Sequence, residues 1–207
     1  MYKRAILIGG GASIPDDFNW DILKNEFTIG INYIIKIITP TVLIFDNKEL
    51  YKKLKVILSE TEAILISPNY KDEKVIKLPA SQINYGKRSL EMRKIYCGTL
   101  TGIYALTIAR CLPFEEIYLM GYDLNRTDGM VHYKKLKHPM ESMAPYHQSH
   151  RFRVFKNVKN IFNVSPNSAI NVFPKLDYQS FYRILDKDKQ MINQKEARKW
   201  LIKQIQR

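Results

Sequence analysis

The stretch from residue 99 to residue 123 limits the fold more than any other part of this chain. Residues 102–112 are apolar on most faces, which is typical of a helix buried on more than one side. Pro113 ends that helix, because proline cannot continue the hydrogen-bond ladder. Residues 116–120 then form a short β-rich run that closes at Asp123. A helix that feeds a buried strand is half of a βαβ unit, so this stretch predicts an α/β fold.

Further apolar runs extend this unit into a sheet. Strands are predicted over residues 4–8, 27–32, 41–46, 63–67 and 161–165, with an edge strand near 75–78. Helices are predicted over residues 49–58, 151–159 and 186–207. Continuous apolarity in the first run indicates a central parallel strand that is covered on both faces. Strands that alternate with helices predict a mostly parallel sheet with helices on both of its faces.

The composition is that of a globular protein, with 45% apolar residues. The 207 residues suit one domain with a tail, and we predict an α/β domain over residues 1–170 and a basic helical tail over residues 171–207. No apolar run reaches the ~20 residues that cross a bilayer. The first residues lack the apolar core of a signal peptide, so we expect a cytoplasmic protein. Cys97 and Cys111 are then expected to be free thiols.

The net charge of +13 is compatible with an anionic partner, either a small substrate, a membrane surface or a nucleic acid. Much of the charge comes from dispersed lysines, whose alternative role is to keep the protein soluble. A nucleic-acid partner is not expected, because no nucleic-acid motif accompanies the charge. The tail carries apolar residues near one helical face: Ile192, Ala197, Trp200, Leu201 and Ile205. This face is predicted to dock on the domain, with another subunit of a homo-oligomer or peripheral contact with an anionic membrane as alternatives.

Residues 125–150 are predicted to form a lid over the ligand pocket. The segment has few aliphatic residues, and the histidines of the chain lie in it: His132, His138, His147 and His150. A loop of this length without clear secondary structure is typical of a functional segment. The histidine spacings fit no standard zinc pattern, so no metal site is expected there.

Small and polar residues follow the predicted strands. They are Gly9, Gly10, Gly11 and Ser13 after the first strand, Asn32 after the second, Asp46 and Asn47 after the third, Asp123 after the strand at 116–120, and Pro166, Asn167 and Ser168 after the last. Because the carboxyl ends of parallel strands meet where α/β sheets bind ligands, we expect one pocket there. Glycines let a backbone approach a ligand closely, and Ser13 is predicted to donate to a phosphate. Ile14 stands where a third glycine would complete GxGxxG, and no GK[ST] of a P-loop follows.

The start of the helix at residue 102 is a second candidate anion site. Thr101 and Gly102 offer free backbone N–H groups to an anion. Thr99 and Thr101 are predicted to cap this helix with their hydroxyls.

Several of these segments together resemble a known family. They are I-G-G-G-A-S-I at 8–14, the strand end at Asn32, T-G-I-Y-A-L-T-I-A-R at 101–110, E-I-Y-L-M-G-Y-D at 116–123 and S-P-N-S at 165–168. In this order they resemble the bacterial CMP-sialic-acid-dependent sialyltransferases of glycosyltransferase family 42. The same skeleton is similar to the wider DUF115 group, which includes archaeal 6-hydroxymethyl-dihydropterin diphosphokinases.

The sialyltransferase resemblance implies a Rossmann-like domain of the GT-A variant kind. It implies inverting transfer of a sugar from a CMP-sugar to a hydroxyl of a glycan or another acceptor, without metal or other cofactor. The implied ligand contacts are Gly9, Gly10, Gly11 and Ser13 along the nucleotide phosphate, Asn32 with Asp46 or Asn47 at the cytidine, Thr101 and Gly102 at the sugar or phosphate, and Pro166, Asn167 and Ser168 at the base or ribose.

The lid would supply the catalytic groups of such an enzyme. A lid histidine would take the proton of the acceptor, and the candidates are His147, His150 and, third, His132. Tyr133 is the candidate for stabilising the leaving phosphate. The chain departs from the family at Gly98, where the family has an arginine before the helix, and at Asn125, where it has a tyrosine. These departures bear on sugar specificity more than on the fold.

Two other functions stay open at this stage. A diphosphokinase would use Asp46 and Asp123 to hold Mg²⁺ on the phosphates of ATP. A non-catalytic protein that binds nucleotides or nucleic acid would explain the missing family residues and the charge. The D-K-D sequence at 186–188 resembles a metal-binding DxD motif, but we interpret it as part of a solvated helix because no predicted strand ends there.

Overall fold

A parallel sheet forms the centre of the molecule. The computed structural model describes residues 2–46, 48–83, 91, 94–98, 100–125, 133 and 145–205, with the backbone alone at 145–147. Numbered in chain order, the seven strands lie across the sheet as β5 (Val75–Lys77), β4 (Ile64–Ser67), β3 (Val42–Ile44), β2 (Phe27–Ile31), β1 (Arg4–Ile8), β8 (Glu116–Met120) and β9 (Ile161–Asn163). Each neighbouring pair is parallel. The short strands β6 (Ser81–Gln82) and β7 (Tyr96–Cys97) pair separately, also in parallel.

The order of the strands confirms the predicted Rossmann-like α/β class. From β1 the chain moves outward through β2, β3, β4 and β5, and it then returns to place β8 and β9 on the other side of β1. The direction of winding therefore reverses between β1 and β8. In open parallel sheets, ligands bind at this reversal, beyond the carboxyl ends of the strands.

The central strands form because their side chains are apolar on both faces. All five residues of β1 are buried, and β2 is equally buried. Leu7 of β1 stands opposite Leu119 of β8 in the register. The predicted strands are confirmed, the edge strand β5 among them, but several end earlier than predicted. Asn32, predicted to end β2, instead begins a 3₁₀ helix over Asn32–Lys36.

The observed helices differ from the predicted helices in several places. The predicted helix at 49–58 is two helices, α1 (Lys48–Lys53) and α2 (Lys55–Glu60), because Leu54 leaves helical geometry and is buried between them. The central helix α3 (Thr101–Cys111) begins after Leu100 without a side-chain cap. The predicted cap by Thr101 is therefore wrong, since Thr101 already lies inside the helix, and Thr99 lies outside the described residues. The helix predicted at 151–159 is a 3₁₀ helix over Pro145–Phe155, which begins within the predicted lid and ends after it.

The helix predicted over residues 186–207 is shorter, and a separate helix that the sequence did not predict precedes it. The two helices pack on opposite faces of the sheet. Helix α4 (Tyr178–Lys187) buries Phe181 and Leu185 against the face that also carries α1 and α2. Helix α5 (Gln194–Ile205) buries Ala197 and Leu201 against the face that carries α3. The predicted docking of this segment on the domain is confirmed, while the boundary at residue 170 stays a prediction. None of the described helices has the length and apolarity that a bilayer crossing requires.

Candidate functional site

The glycine segment after β1 runs beside the segment that follows β8. Three backbone N–H groups donate across this junction: Gly9 to Met120 O (2.8 Å), Gly11 to Gly121 O (2.9 Å) and Ser13 to Asp123 Oδ2 (2.6 Å). The pairing of β1 with β8 is thus continued past the end of both strands. The N–H groups of residues 9, 11 and 13 are therefore already engaged inside the protein.

The glycines are needed for this close approach of two backbones. A Cβ atom on Gly9 would lie 2.6 Å from the carbonyl oxygen of Gly121, and one on Gly11 would lie 2.6 Å from the same oxygen. Gly121 itself has a φ of +65°, a conformation that side chains disfavour. The sequence predicted close approach to a ligand, whereas the glycines at 9 and 11 contact the segment after β8.

A hydrogen-bonded group joins the ends of β1, β8 and β9. The Ser13 hydroxyl lies 2.5 Å from Asp123 Oδ1 and 2.7 Å from the Ser165 hydroxyl. Asp123 is 2% exposed and Ser165 is fully buried. Because an ionised carboxylate can only accept, Ser13 donates its proton to Asp123, and Ser165 then donates to Ser13. We call Ser13, Ser165 and Asp123 the strand-end cluster.

Tyr178, which the sequence analysis did not single out, adjoins this cluster. Its hydroxyl is buried near Ser13 and the backbone of Gly121, and it makes no hydrogen bond to the described residues. Burial raises the pKa of Tyr178 well above its ordinary value, and the nearby Asp123 charge raises it further. The phenol therefore stays protonated at neutral pH. No sequence pattern around Tyr178, at the start of a helix, indicates that this tyrosine lies next to the strand-end cluster.

The turn at 165–168 packs on the residues that follow β8. The Ser168 hydroxyl donates to Tyr122 O at 2.7 Å, and Asn125 Nδ2 donates to the carbonyl of Asn167. Ser168 is buried, whereas Pro166 and Asn167 are exposed. The structure thus brings the predicted site residues at 123, 125 and 166–168 to one edge of the sheet, together with Ser165.

The start of α3 lies at the same edge. The Tyr122 hydroxyl donates to the carbonyl oxygen of Gly102 at 3.3 Å, and its ring carbon would be 3.0 Å from a Cβ on Gly102. Burial raises the pKa of Tyr122 well above its ordinary value, so the phenol remains a donor. Thr101 and Gly102 are thereby held next to the segment that follows β8.

Asn32 and Asp46 lie at the carboxyl ends of β2 and β3. Asn32 has a φ of 53°, a left-handed conformation that asparagine tolerates better than most residues. Its Oδ1 is buried and has no hydrogen-bond partner among the described residues. Asp46 is half-buried, and its carbonyl accepts from Asn69 Nδ2 at 3.5 Å. Asn47 lies outside the described residues.

Two described lid residues can be located relative to this edge. Tyr133 donates its backbone N–H to Gly10 O at 2.8 Å and is buried against Trp20, with ring centroids 6.0 Å apart. The Tyr133 hydroxyl finds no partner within the part of the chain that the structure describes. His150 is exposed on the 3₁₀ helix, two residues before Phe152, whose ring packs on Tyr122 at 6.3 Å.

The remaining candidates of the lid are not described. The backbone of His147 belongs to the same 3₁₀ helix, but its side chain, like His132 and His138, lies outside the described residues. The choice of the general base stays a prediction.

The acidic D-K-D sequence lies at the opposite edge of the sheet. Asp188 pairs with Lys3, and its carbonyl accepts from Arg4 Nη2 at 2.7 Å, at the start of β1. Asp186 pairs with Lys189 at 2.9 Å. Within the described ranges no group of three or more His, Cys, Asp or Glu side chains could hold a metal ion.

Comparison with known proteins gives one structural likeness. No protein-family model matches the chain, and no curated protein matches it at a significant level. Among solved structures, the chain is similar to the crystal structure of the sialyltransferase CST-II in complex with a trisaccharide acceptor and CMP. The TM-score is 0.48 with 17% sequence identity, over 84% of this chain and 86% of that chain.

Proposed function

We propose that this protein is a sialyltransferase-like glycosyltransferase that binds a CMP-sugar at the carboxyl edge of the sheet. The observation that carries the proposal is the assembly at that edge, where the ends of β1, β8 and β9 meet the start of α3 through hydrogen bonds at Ser13, Asp123, Ser165 and Tyr122. This edge lies at the reversal of strand order, where parallel sheets bind nucleotides. The choice of CMP as the nucleotide and of the sugar class rests on the ordered sequence segments that resemble the family.

The donor would lie across the edge with its phosphate at the start of α3. Backbone N–H groups at Thr101 and Gly102 suit an anion, because the first N–H groups of a helix have no partner inside the helix. Asn32 Oδ1 and the exposed turn at Pro166 and Asn167 would contact the cytidine. An amide oxygen without a partner suits the exocyclic amine of cytosine or a ribose hydroxyl.

The chemistry would be a single displacement at the anomeric carbon. The acceptor oxygen forms a bond to that carbon while the bond to the phosphate oxygen breaks, and CMP leaves with the electron pair. The acceptor proton passes to His147 or His150, since a neutral imidazole has one ring nitrogen that can accept a proton. The Tyr133 phenol is the candidate donor to the leaving phosphate, which needs no metal.

The diphosphokinase alternative would use the Asp123 carboxylate as a ligand of Mg²⁺. Each oxygen of that carboxylate accepts one hydrogen bond from Ser13, so a metal ion would have to bind through the remaining lone pairs.

Nucleotide binding is the first property to test. We expect CMP to raise the melting temperature equally with Mg²⁺ and with a chelator. At about 100 times its dissociation constant, a ligand stabilises by ~2.7 kcal/mol, or roughly 5–10 °C for a chain of this size. A thermal-shift panel of CMP, CDP, UDP, GDP and ATP provides the comparison. Stabilisation by ATP alone, and only with Mg²⁺, would instead support the diphosphokinase function.

Single replacement of the two lid histidines tests the catalytic role. We expect either His147→Ala or His150→Ala to lower the rate of transfer by about 10²–10⁴-fold while leaving CMP affinity unchanged, because general-base catalysis contributes that much. The measurement is transfer from a CMP-sugar that the wild-type protein uses, with CMP titration of each variant as the control. Full activity in both variants would remove the assignment of the base to His147 or His150 and leave the transferase function standing, with His132 as the third candidate.

A further inference from the structure

We propose that Ser13 and Asp123 position the ligand-binding edge and do not themselves contact the nucleotide. The inference rests on the proposed function, since the ligand in question is the CMP moiety. It differs from the family-based expectation that Ser13 lies along the phosphate. The reason is that the hydrogen-bond donors of Ser13 are already bound within the strand-end cluster.

Ser13 has two hydrogen-bond donors, and Asp123 accepts both. The backbone N–H lies 2.6 Å from Oδ2, and the hydroxyl lies 2.5 Å from Oδ1. The hydroxyl oxygen of Ser13 also has the Ser165 hydroxyl at 2.7 Å, which can serve as its donor. A phosphate can only accept, so it would have to displace Asp123 to bind Ser13.

The charge of Asp123 adds to this conclusion. The carboxylate is 2% exposed, so water screens it weakly. A phosphate brought to Ser13 would lie next to this negative charge and would be repelled. A ligand phosphate is therefore better placed at the start of α3, where the backbone N–H groups of Thr101 and Gly102 can donate to it.

The strand-end cluster fixes the position of the segment after β8. This segment in turn contacts the groups that would face the ligand. From the residues after β8, Tyr122 contacts Gly102 at the start of α3, and Asn125 binds the carbonyl of Asn167. On the side of β1, Gly10 accepts the backbone N–H of Tyr133 from the lid. Releasing Ser13 from Asp123 would loosen the helix start, the turn and the lid contact together. Affinity for the whole ligand would fall, not affinity for its phosphate alone.

The experiment compares CMP with cytidine, which lacks the phosphate. For Ser13→Ala, we expect the dissociation constants of both ligands to rise by the same factor, about tenfold, which corresponds to the net contribution of one hydrogen bond. Ser165→Ala should raise both by a smaller common factor, because Ser13 keeps its two bonds to Asp123. Binding is measured by calorimetry or by NMR titration at a temperature where each variant is folded. Ser59→Ala, on the exposed face of α2, is the matched control.

The outcomes separate this inference from the proposed function. A rise for CMP alone, with cytidine unchanged, would mean that Ser13 contacts the phosphate and would overturn the positioning role. Unchanged affinity for both ligands in Ser13→Ala would overturn it as well. If the wild-type protein binds neither CMP nor cytidine, the proposed function itself fails and the inference falls with it. A loss of melting temperature without any change of affinity would show a purely structural role and would also contradict the proposal.

Discussion

Glu26→Leu should lower the free energy of unfolding by about 3–5 kcal/mol, as expected when one partner of a buried ion pair is removed. Glu26 accepts two hydrogen bonds from Arg4, from Nη2 at 2.6 Å and from Nε at 3.0 Å. The Arg4 side chain is fully buried and that of Glu26 is 3% exposed. The leucine variant would leave the guanidinium charge inside the protein without its carboxylate. Urea unfolding followed by circular dichroism measures the change.

Two further variants isolate the cause of that loss. Arg4→Met combined with Glu26→Leu removes both charges, and we expect it to recover most of the lost stability, because apolar pairs often replace buried ion pairs without cost. Glu49→Leu breaks an exposed pair with Lys52 and should change stability by no more than about 0.5 kcal/mol. A loss below about 1 kcal/mol in Glu26→Leu would contradict the account of the buried pair. Since the pair lies at the start of β1, CMP binding at the opposite edge should persist in the folded variants.

The central place of β1 could be predicted from the apolarity of most of its residues. Residues 5–8 are continuously apolar, and the structure buries all of them in a central strand. The same pattern located β8 and the buried helix α3 before it. The Arg4–Glu26 pair could not be predicted, because its partners are 22 residues apart and only the pairing of β1 with β2 brings them together.

The edge of the candidate site could be predicted, but its internal contacts could not. Small and polar residues at strand ends are visible in the sequence, and a parallel sheet gathers them at one edge. Whether a glycine approaches a ligand or another backbone depends on which strand lies beside it. Ser13 and Asp123 are 110 residues apart, so their bond depends on β1 and β8 being neighbours. Tyr178 was missed because α4 follows the predicted domain, and no local pattern ties it to the site.

Gly9→Ala should lower the free energy of unfolding by about 2–3 kcal/mol, in the upper part of the usual range for overpacked positions. The added Cβ would lie 2.6 Å from Gly121 O and 3.2 Å from a ring carbon of Tyr122. The Gly121 oxygen cannot withdraw without loss, because it accepts the N–H of Gly11 at 2.9 Å. Thermal and urea unfolding measure the effect. Gly102→Ala is the control. Its Cβ would meet a Tyr122 ring carbon at 3.0 Å, which is unfavourable, but alanine is favoured over glycine in a helix by up to ~1 kcal/mol. Because these two effects oppose each other, we expect little net change in stability. Wild-type stability in Gly9→Ala would mean that the two backbones are farther apart than the hydrogen bonds between them indicate.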